Sequence, residues 1–148
     1  MNEYAQAVLQ ELRCQRPDWA EGAGPDESMP EHLLARIVPP DPATPAISIS
    51  TELDELIVYF GPAHLHVGQQ NKPIAKQVQS LISMLNPIIK EEMIAAEFWS
   101  RFGFTSGGWI TPKEYEKRLA KGRLAQSRSW NGTYNFDKAS NNGLHGTR

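Results

Sequence analysis

The stretch that decides the fold runs from Ile47 to Val67 and reads ISISTELDELIVYFGPAHLHV. Three runs of strand-forming residues are separated by two short turn signals, at Leu53-Asp54-Glu55 and at Gly61-Pro62. Connections this short favour antiparallel pairing, because a parallel crossover needs about a dozen residues or more. We therefore predict a three-stranded β-meander.

Each run of the meander has its own pattern. From Ile47 to Ser50 isoleucine alternates with serine, which is typical of a half-buried strand. The run from Leu56 to Phe60 is apolar throughout, as expected for a central strand covered on both faces. The third run places His64 and His66 on one face, because successive side chains of a strand point to opposite sides.

Helical periodicity flanks the meander on both sides. Apolar residues at spacings of three and four predict helices over Glu3–Arg13 and from Pro73 to a stop at Asn86-Pro87. A short helix is expected to open at Pro30, after a loop over residues 17–30, and a further helix to begin after Thr111 as N-cap. The short helix would bury four apolar side chains: Leu33, Leu34, Ile37 and Val38.

The C-terminal third predicts hairpins. A strand is expected from about Ile94 to Phe102, with its return strand at Trp109-Ile110. A last hairpin over residues 127–136 would turn at Asn131-Gly132. We predict one α+β domain over residues 1–148, an antiparallel sheet (meander plus C-terminal hairpins) packed with amphipathic helices, with residues 138–148 as a flexible tail.

The charge of the chain is small overall and unevenly placed. The net charge of −2 over 148 residues argues against a general nucleic-acid binder. Residues 1–97 carry 6 Lys and Arg against 14 Asp and Glu, whereas residues 98–148 carry 9 against 3. Either the two parts attract each other within one fold, or a basic C-terminal face meets an acidic partner.

The compartment follows from what the sequence lacks. Cys14 is the single cysteine, so no disulfide can form within one chain, which suits a reducing compartment. The first residues carry no basic region followed by an apolar run, and no segment approaches about 18 apolar residues. A cytoplasmic protein without membrane association is expected.

The histidine pair is the first candidate site. At positions i and i+2 of one strand, His64 and His66 lie about 7 Å apart along the chain. Imidazoles so placed could share zinc if a third ligand joined them, and Glu97 is the carboxylate proposed for that role. The alternative is a polar sheet face without metal.

The aromatic residues of the C-terminal third are the second candidate. With Gly107-Gly108 they could line a ligand groove or a partner surface, stack on single-stranded nucleic acid, or simply fill the core. Phosphate-binding loops, nucleophile elbows and zinc-binding cysteine or histidine motifs are absent from the sequence. The candidate partner-binding residues are His64, His66, Trp99, Arg101 and Trp109.

The run from Ile47 to His66, followed by an amphipathic helix and an aromatic strand at Phe98-Trp99, resembles small bacterial immunity-type proteins. Such proteins are encoded beside secreted polymorphic or contact-dependent toxins and neutralise the toxin by binding it. The resemblance covers roughly residues 46–110. It implies a binding protein without catalytic residues or cofactor, with a cognate toxin as its protein partner.

Overall fold

The computed structural model describes residues 1–67, 71–99 and 105–138. Within them the chain forms four helices and two antiparallel sheets, which confirms the α+β class. The helices are α1 (Glu3–Gln15), α2 (Pro17–Ala20), α3 (Ile74–Ile89) and α4 (Pro112–Ala120). The strands are β1 (Gly24–Pro25), β2 (Leu33–Ile37), β3 (Ile47–Glu52), β4 (Glu55–Phe60), β5 (Ala63–His66), β6 (Ile94–Trp99), β7 (Thr105–Ile110), β8 (Leu124–Arg128) and β9 (Phe136–Asp137).

The predicted meander is confirmed as β3, β4 and β5, within a five-stranded sheet of order β1-β2-β3-β4-β5. Leu53 and Asp54 both have positive φ, 50° and 59°, so a two-residue turn with the right-handed twist of the strands joins β3 to β4. Gly61, with φ of 54°, and Pro62 form the second turn. These two turns fix the register of all three strands.

One face of this sheet packs on helices α1 and α3 and forms the main core. Helix α1 begins at Asn2, whose side-chain oxygen accepts a 2.8 Å hydrogen bond from the Ala5 amide. Thr51 ties β2 to the sheet, since its buried hydroxyl accepts a 2.8 Å hydrogen bond from the Leu33 amide. The fully buried core residues include Val8, Leu12, Leu33, Ile47, Ile49, Leu56, Val58, Phe60, Val78, Leu81 and Leu85.

The second sheet has the order β7-β6-β8-β9 and carries α4 on one face. The predicted N-cap of α4 is confirmed, because Thr111 Oγ1 accepts a hydrogen bond from the Glu114 amide at 3.3 Å. Between α4 and the sheet lies a smaller core of Ile94, Ala96, Ile110, Tyr115 and Leu124.

The two sheets meet where the β4–β5 turn rests on the second sheet. A Cβ atom placed on Gly107 would lie only 2.6 Å from the carbonyl oxygen of Pro62, so glycine permits this approach. Next to this contact the Trp109 ring stacks on Phe60, with centroids 6.3 Å apart. Ala95 and Trp130 of the C-terminal third belong to the main core, so the sheets share one buried cluster.

The predicted short helix opening at Pro30 is wrong, because Leu33–Ile37 form β2, antiparallel to β3. The apolar residues fit a helical spacing, but burial alternates along the segment: Leu33 is buried, whereas Arg36 is exposed. Val38, expected on the buried side, is 77% exposed. The pairing edge of β3, distant in sequence, decides the outcome over local periodicity.

Other boundaries shift by shorter lengths. The loop predicted over residues 17–30 contains α2, and Trp19 within it is buried as expected. Helix α3 does not stop at Asn86-Pro87 but continues to Ile89, because Ile88 is buried in the core. The last hairpin is present as β8 and β9, with Gly132 at φ of 80° in its connection. No helix of the described residues is long and apolar enough to span a membrane.

Two predictions extend beyond the described residues. Strand β6 confirms the predicted strand from Ile94 to Trp99, while its continuation to Phe102 lies outside them. Of the predicted tail over residues 138–148, only Lys138 is described.

Candidate functional site

The face of the five-stranded sheet opposite the helices carries the histidine pair. We call it the open face and define it by Ser48, Glu52, Glu55, Tyr59, His64 and His66. The strand registers align these side chains, because residues directly opposite in an antiparallel pair point to the same side. Ser48 lies opposite Tyr59, which lies opposite His64, and Ile57 of the same face lies opposite His66.

The three ring side chains of the open face are neighbours and are exposed. The His64 and His66 rings lie 5.3 Å apart between centroids, edge to face, and the Tyr59 ring lies 6.0 Å from His64. Tyr59 is 40% exposed, and the side chain of His66 is 53% exposed. Ile57, only 6% exposed, lies beside them. The result is a continuous aromatic and imidazole surface with an apolar floor.

Two carboxylates hold these rings in place. The Tyr59 hydroxyl donates a 3.0 Å hydrogen bond to Glu52, and Nδ1 of His66 lies 3.1 Å from Glu55 Oε2. Both carboxylates are positioned by the tight turn at Leu53-Asp54, since Glu52 and Glu55 form the pair that closes it. Burial, followed by the hydrogen bond and the charge of Glu52, raises the pKa of Tyr59. Its hydroxyl therefore stays protonated and acts as a donor around neutral pH.

The structure does not bring together the three residues of the zinc hypothesis as a metal-binding group. Glu97 lies on β6 in the second sheet, where its carboxylate accepts a 2.8 Å hydrogen bond from the Gln126 side chain. Within the described ranges, no three His, Cys, Asp or Glu side chains cluster where they could hold one ion. The carboxylate beside the histidines is Glu55, on the neighbouring strand.

The other predicted partner-binding residues lie elsewhere. Trp99, at the end of β6, is 41% exposed, and its amide donates a 2.8 Å hydrogen bond to the Arg123 carbonyl. Trp109 lines the junction of the two sheets and is partly buried. Arg101 lies outside the described residues. The predicted set therefore divides into the open face and separate aromatic positions.

The uneven charge of the sequence persists as separate surfaces. Every ion pair formed by described residues joins partners within the same part, either residues 1–97 or residues 98–148. On and after α4, basic side chains remain exposed at Lys113, Lys117, Lys121 and Arg123. Direct pairing between the acidic and basic parts, one of the two alternatives raised by the sequence, is not seen among the described side chains.

Sequence reasoning found the histidines but not their partners. Tyr59 was included only in an apolar run, and Glu52 and Glu55 only in or beside a turn. A two-residue turn at Leu53-Asp54 would have paired Glu52 with Glu55 and placed Tyr59 opposite Ser48. The signal was the turn length, which the sequence left open by one residue.

Comparison with protein-family models, with curated proteins and with solved structures finds no match for this chain.

Proposed function

We propose that this chain is a protein-binding module of the immunity type, which neutralises a bacterial toxin by direct contact through the open face. One observation supports the proposal most: Tyr59, His64 and His66 adjoin on an exposed sheet face, and two of them are held by carboxylates. The toxin as partner rests on the resemblance of residues 46–110 to immunity-type proteins.

Held aromatic side chains suit protein recognition for an energetic reason. A tyrosine with few rotatable bonds brings a large contact area and loses little conformational entropy on binding. The hydrogen bond from Tyr59 to Glu52 and the contact between His66 and Glu55 restrict both side chains before any partner arrives. The polar tips leave donors and acceptors at the rim, while Ile57 supplies apolar surface between them.

The charge around the open face favours a basic partner surface. Glu52, Asp54 and Glu55 lie at one end of this face, within the part of the chain that carries an excess of acidic residues. Acidic and basic surfaces on two proteins accelerate their encounter and orient it. A toxin whose own active site is basic would therefore be covered most readily by this face.

Growth rescue tests the proposed function. A toxin encoded beside the gene for this chain is expressed in bacteria with the wild-type chain or with the His64→Ala/His66→Ala variant. The wild type is expected to restore growth, and the double variant to restore it less at equal protein level. Lys76→Ala/Gln79→Ala, which changes exposed residues of α3 on the far side of the sheet, serves as the matched control and should rescue fully.

Metal analysis separates the zinc alternative. A zinc module predicts stoichiometric zinc in the purified chain and its loss in the His64→Ala/His66→Ala variant. Bound zinc together with no rescue by the wild type would contradict the immunity proposal and favour the metal reading.

A further inference from the structure

A groove at the junction of the two sheets has no part in the proposed toxin contact. Its volume is about 210 Å³. It lies on the side of β5 opposite the histidines, between the C-terminal half of α3 and β7. Its walls are five apolar side chains: Leu65, Met84, Ile88, Met93 and Trp109.

The walls combine one rigid surface with adaptable ones. Trp109 is stacked on Phe60 with ring planes 10° apart, so the indole plane is fixed from behind. Met84 and Met93 are only partly buried, and methionine adjusts its shape readily to what it contacts. Such a groove can accept a small apolar body of matching size.

The groove also contains an unsatisfied donor. The indole Nε1 of Trp109 is buried, and in the described part of the chain no acceptor lies within hydrogen-bonding distance of it. A buried N–H without a partner costs about 1–3 kcal/mol relative to a paired one. A molecule that supplies an acceptor at this position would recover that free energy.

From the apolar walls and the unpaired indole we infer that this groove binds a small organic molecule with an apolar body and one hydrogen-bond acceptor, such as an aryl ketone. The acceptor receives the Trp109 N–H, and the apolar body lies against Leu65 and the two methionines. A purely apolar molecule of the same shape fills the groove but leaves the indole unpaired.

Two matched probes test the inference: acetophenone, which has a carbonyl acceptor, and ethylbenzene, which has nearly the same shape without it. The ¹⁵N-labelled full chain is titrated with each, and the indole N–H signals are followed, with Trp109 assigned from Trp109→Phe. Acetophenone should shift the Trp109 signal saturably and bind about tenfold more tightly than ethylbenzene, since one net hydrogen bond is worth about that factor.

Two variants separate binding from folding. Trp109→Phe should retain weak binding of both probes, followed by the backbone amide signals of β5 and α3, and lose the preference for acetophenone. Met84→Phe, a half-buried position on the helix surface, should fill the groove and weaken both probes while the chain stays folded. Equal affinity for the two probes, no shift of the Trp109 signal, or a preference that survives in Trp109→Phe would overturn the inference. So would sedimentation showing that the free chain dimerises through this groove and that Met84→Phe dissolves the dimer.

Discussion

At the scale of single residues, Tyr4 shows how a polar contact joins the two core helices. Its hydroxyl donates a 2.7 Å hydrogen bond to Oε1 of Gln77 on α3, and Gln77 is only 2% exposed. The Gln77 amide in turn donates to the Lys72 carbonyl at 2.8 Å. Burial, with the charges of Asp54 and Glu55, raises the pKa of Tyr4 to about 12. The folded chain therefore holds this proton more tightly than the unfolded chain does.

Replacing Tyr4 by Phe is expected to lower the free energy of unfolding by about 1–2 kcal/mol at neutral pH, because Gln77 loses its donor. The pKa of Tyr4 is raised above the ordinary value of 10.0, so its contribution is complete below that pH and is lost as the pH rises toward about 12. The gap between wild type and Tyr4→Phe should narrow over that interval.

Urea unfolding at several pH values measures this gap. Tyr134→Phe is the control, since its hydroxyl has no hydrogen bond to the described residues. A gap that stays constant up to about pH 11 would show that the Tyr4 proton is not linked to folding.

The site at residue scale was partly readable from the sequence. Strand alternation alone placed His64 and His66 together on an exposed face, and the structure agrees. The contacts that hold His66 and Tyr59 come from Glu55 and Glu52, across strand pairs whose register depends on the length of one turn. Local pattern does not determine such cross-strand partners.

At the scale of elements, the contact between the β4–β5 turn and β7 depends on a side chain being absent. A Cβ atom at Gly107 would meet the Pro62 carbonyl at 2.6 Å, whereas one at Gly108 would meet only the Phe98 ring at 4.0 Å. The first distance is a clash with backbone, and the second is ordinary contact. The two adjacent glycines are thus a natural matched pair.

Gly107→Ala is expected to destabilise the chain by about 1–3 kcal/mol, because the turn and the second sheet must move apart. Gly108→Ala should change the free energy of unfolding by less than about 1 kcal/mol, since a Cβ atom fits there. Thermal and urea unfolding of both variants measure the difference. Equal destabilisation by the two substitutions would mean that Pro62 does not rest on Gly107.

Elements with strong local signals were predictable, and those decided by distant pairing were not. The meander and α4 follow from two turns and a Thr111 N-cap that act within a few residues. Segment Leu33–Ile37 has the spacing of a helix, yet β3 recruits it as a strand through four residue pairs. Pro87 was expected to end α3, but burial of Ile88 draws one more turn into the core.

At the scale of the whole molecule, the acidic and basic parts keep their charges apart. The ion pairs of the described residues all lie within one part or the other. The acidic surface around the open face therefore remains available to a partner. This arrangement predicts that the complex with a basic toxin surface is sensitive to salt.

The association rate with the toxin is expected to fall by about tenfold or more when ionic strength rises from about 0.05 M to about 0.5 M. Glu52→Gln/Glu55→Gln should flatten this dependence, while Lys113→Gln/Lys117→Gln on α4 should leave it unchanged or steeper. Stopped-flow or surface-based kinetics provide the rates. A rate that rises with salt would place the basic α4 surface, and not the open face, at the contact.

The dissociation constant of the toxin complex for Tyr59→Ala tests the central claim most directly. Calorimetric titration should give a dissociation constant about thirtyfold weaker than for the wild type, the loss typical of a central tyrosine in a protein interface. The Lys76→Ala/Gln79→Ala control should match the wild type. An unchanged constant for Tyr59→Ala, in a variant that unfolds like the wild type, would contradict the assignment of the open face as the partner-binding surface.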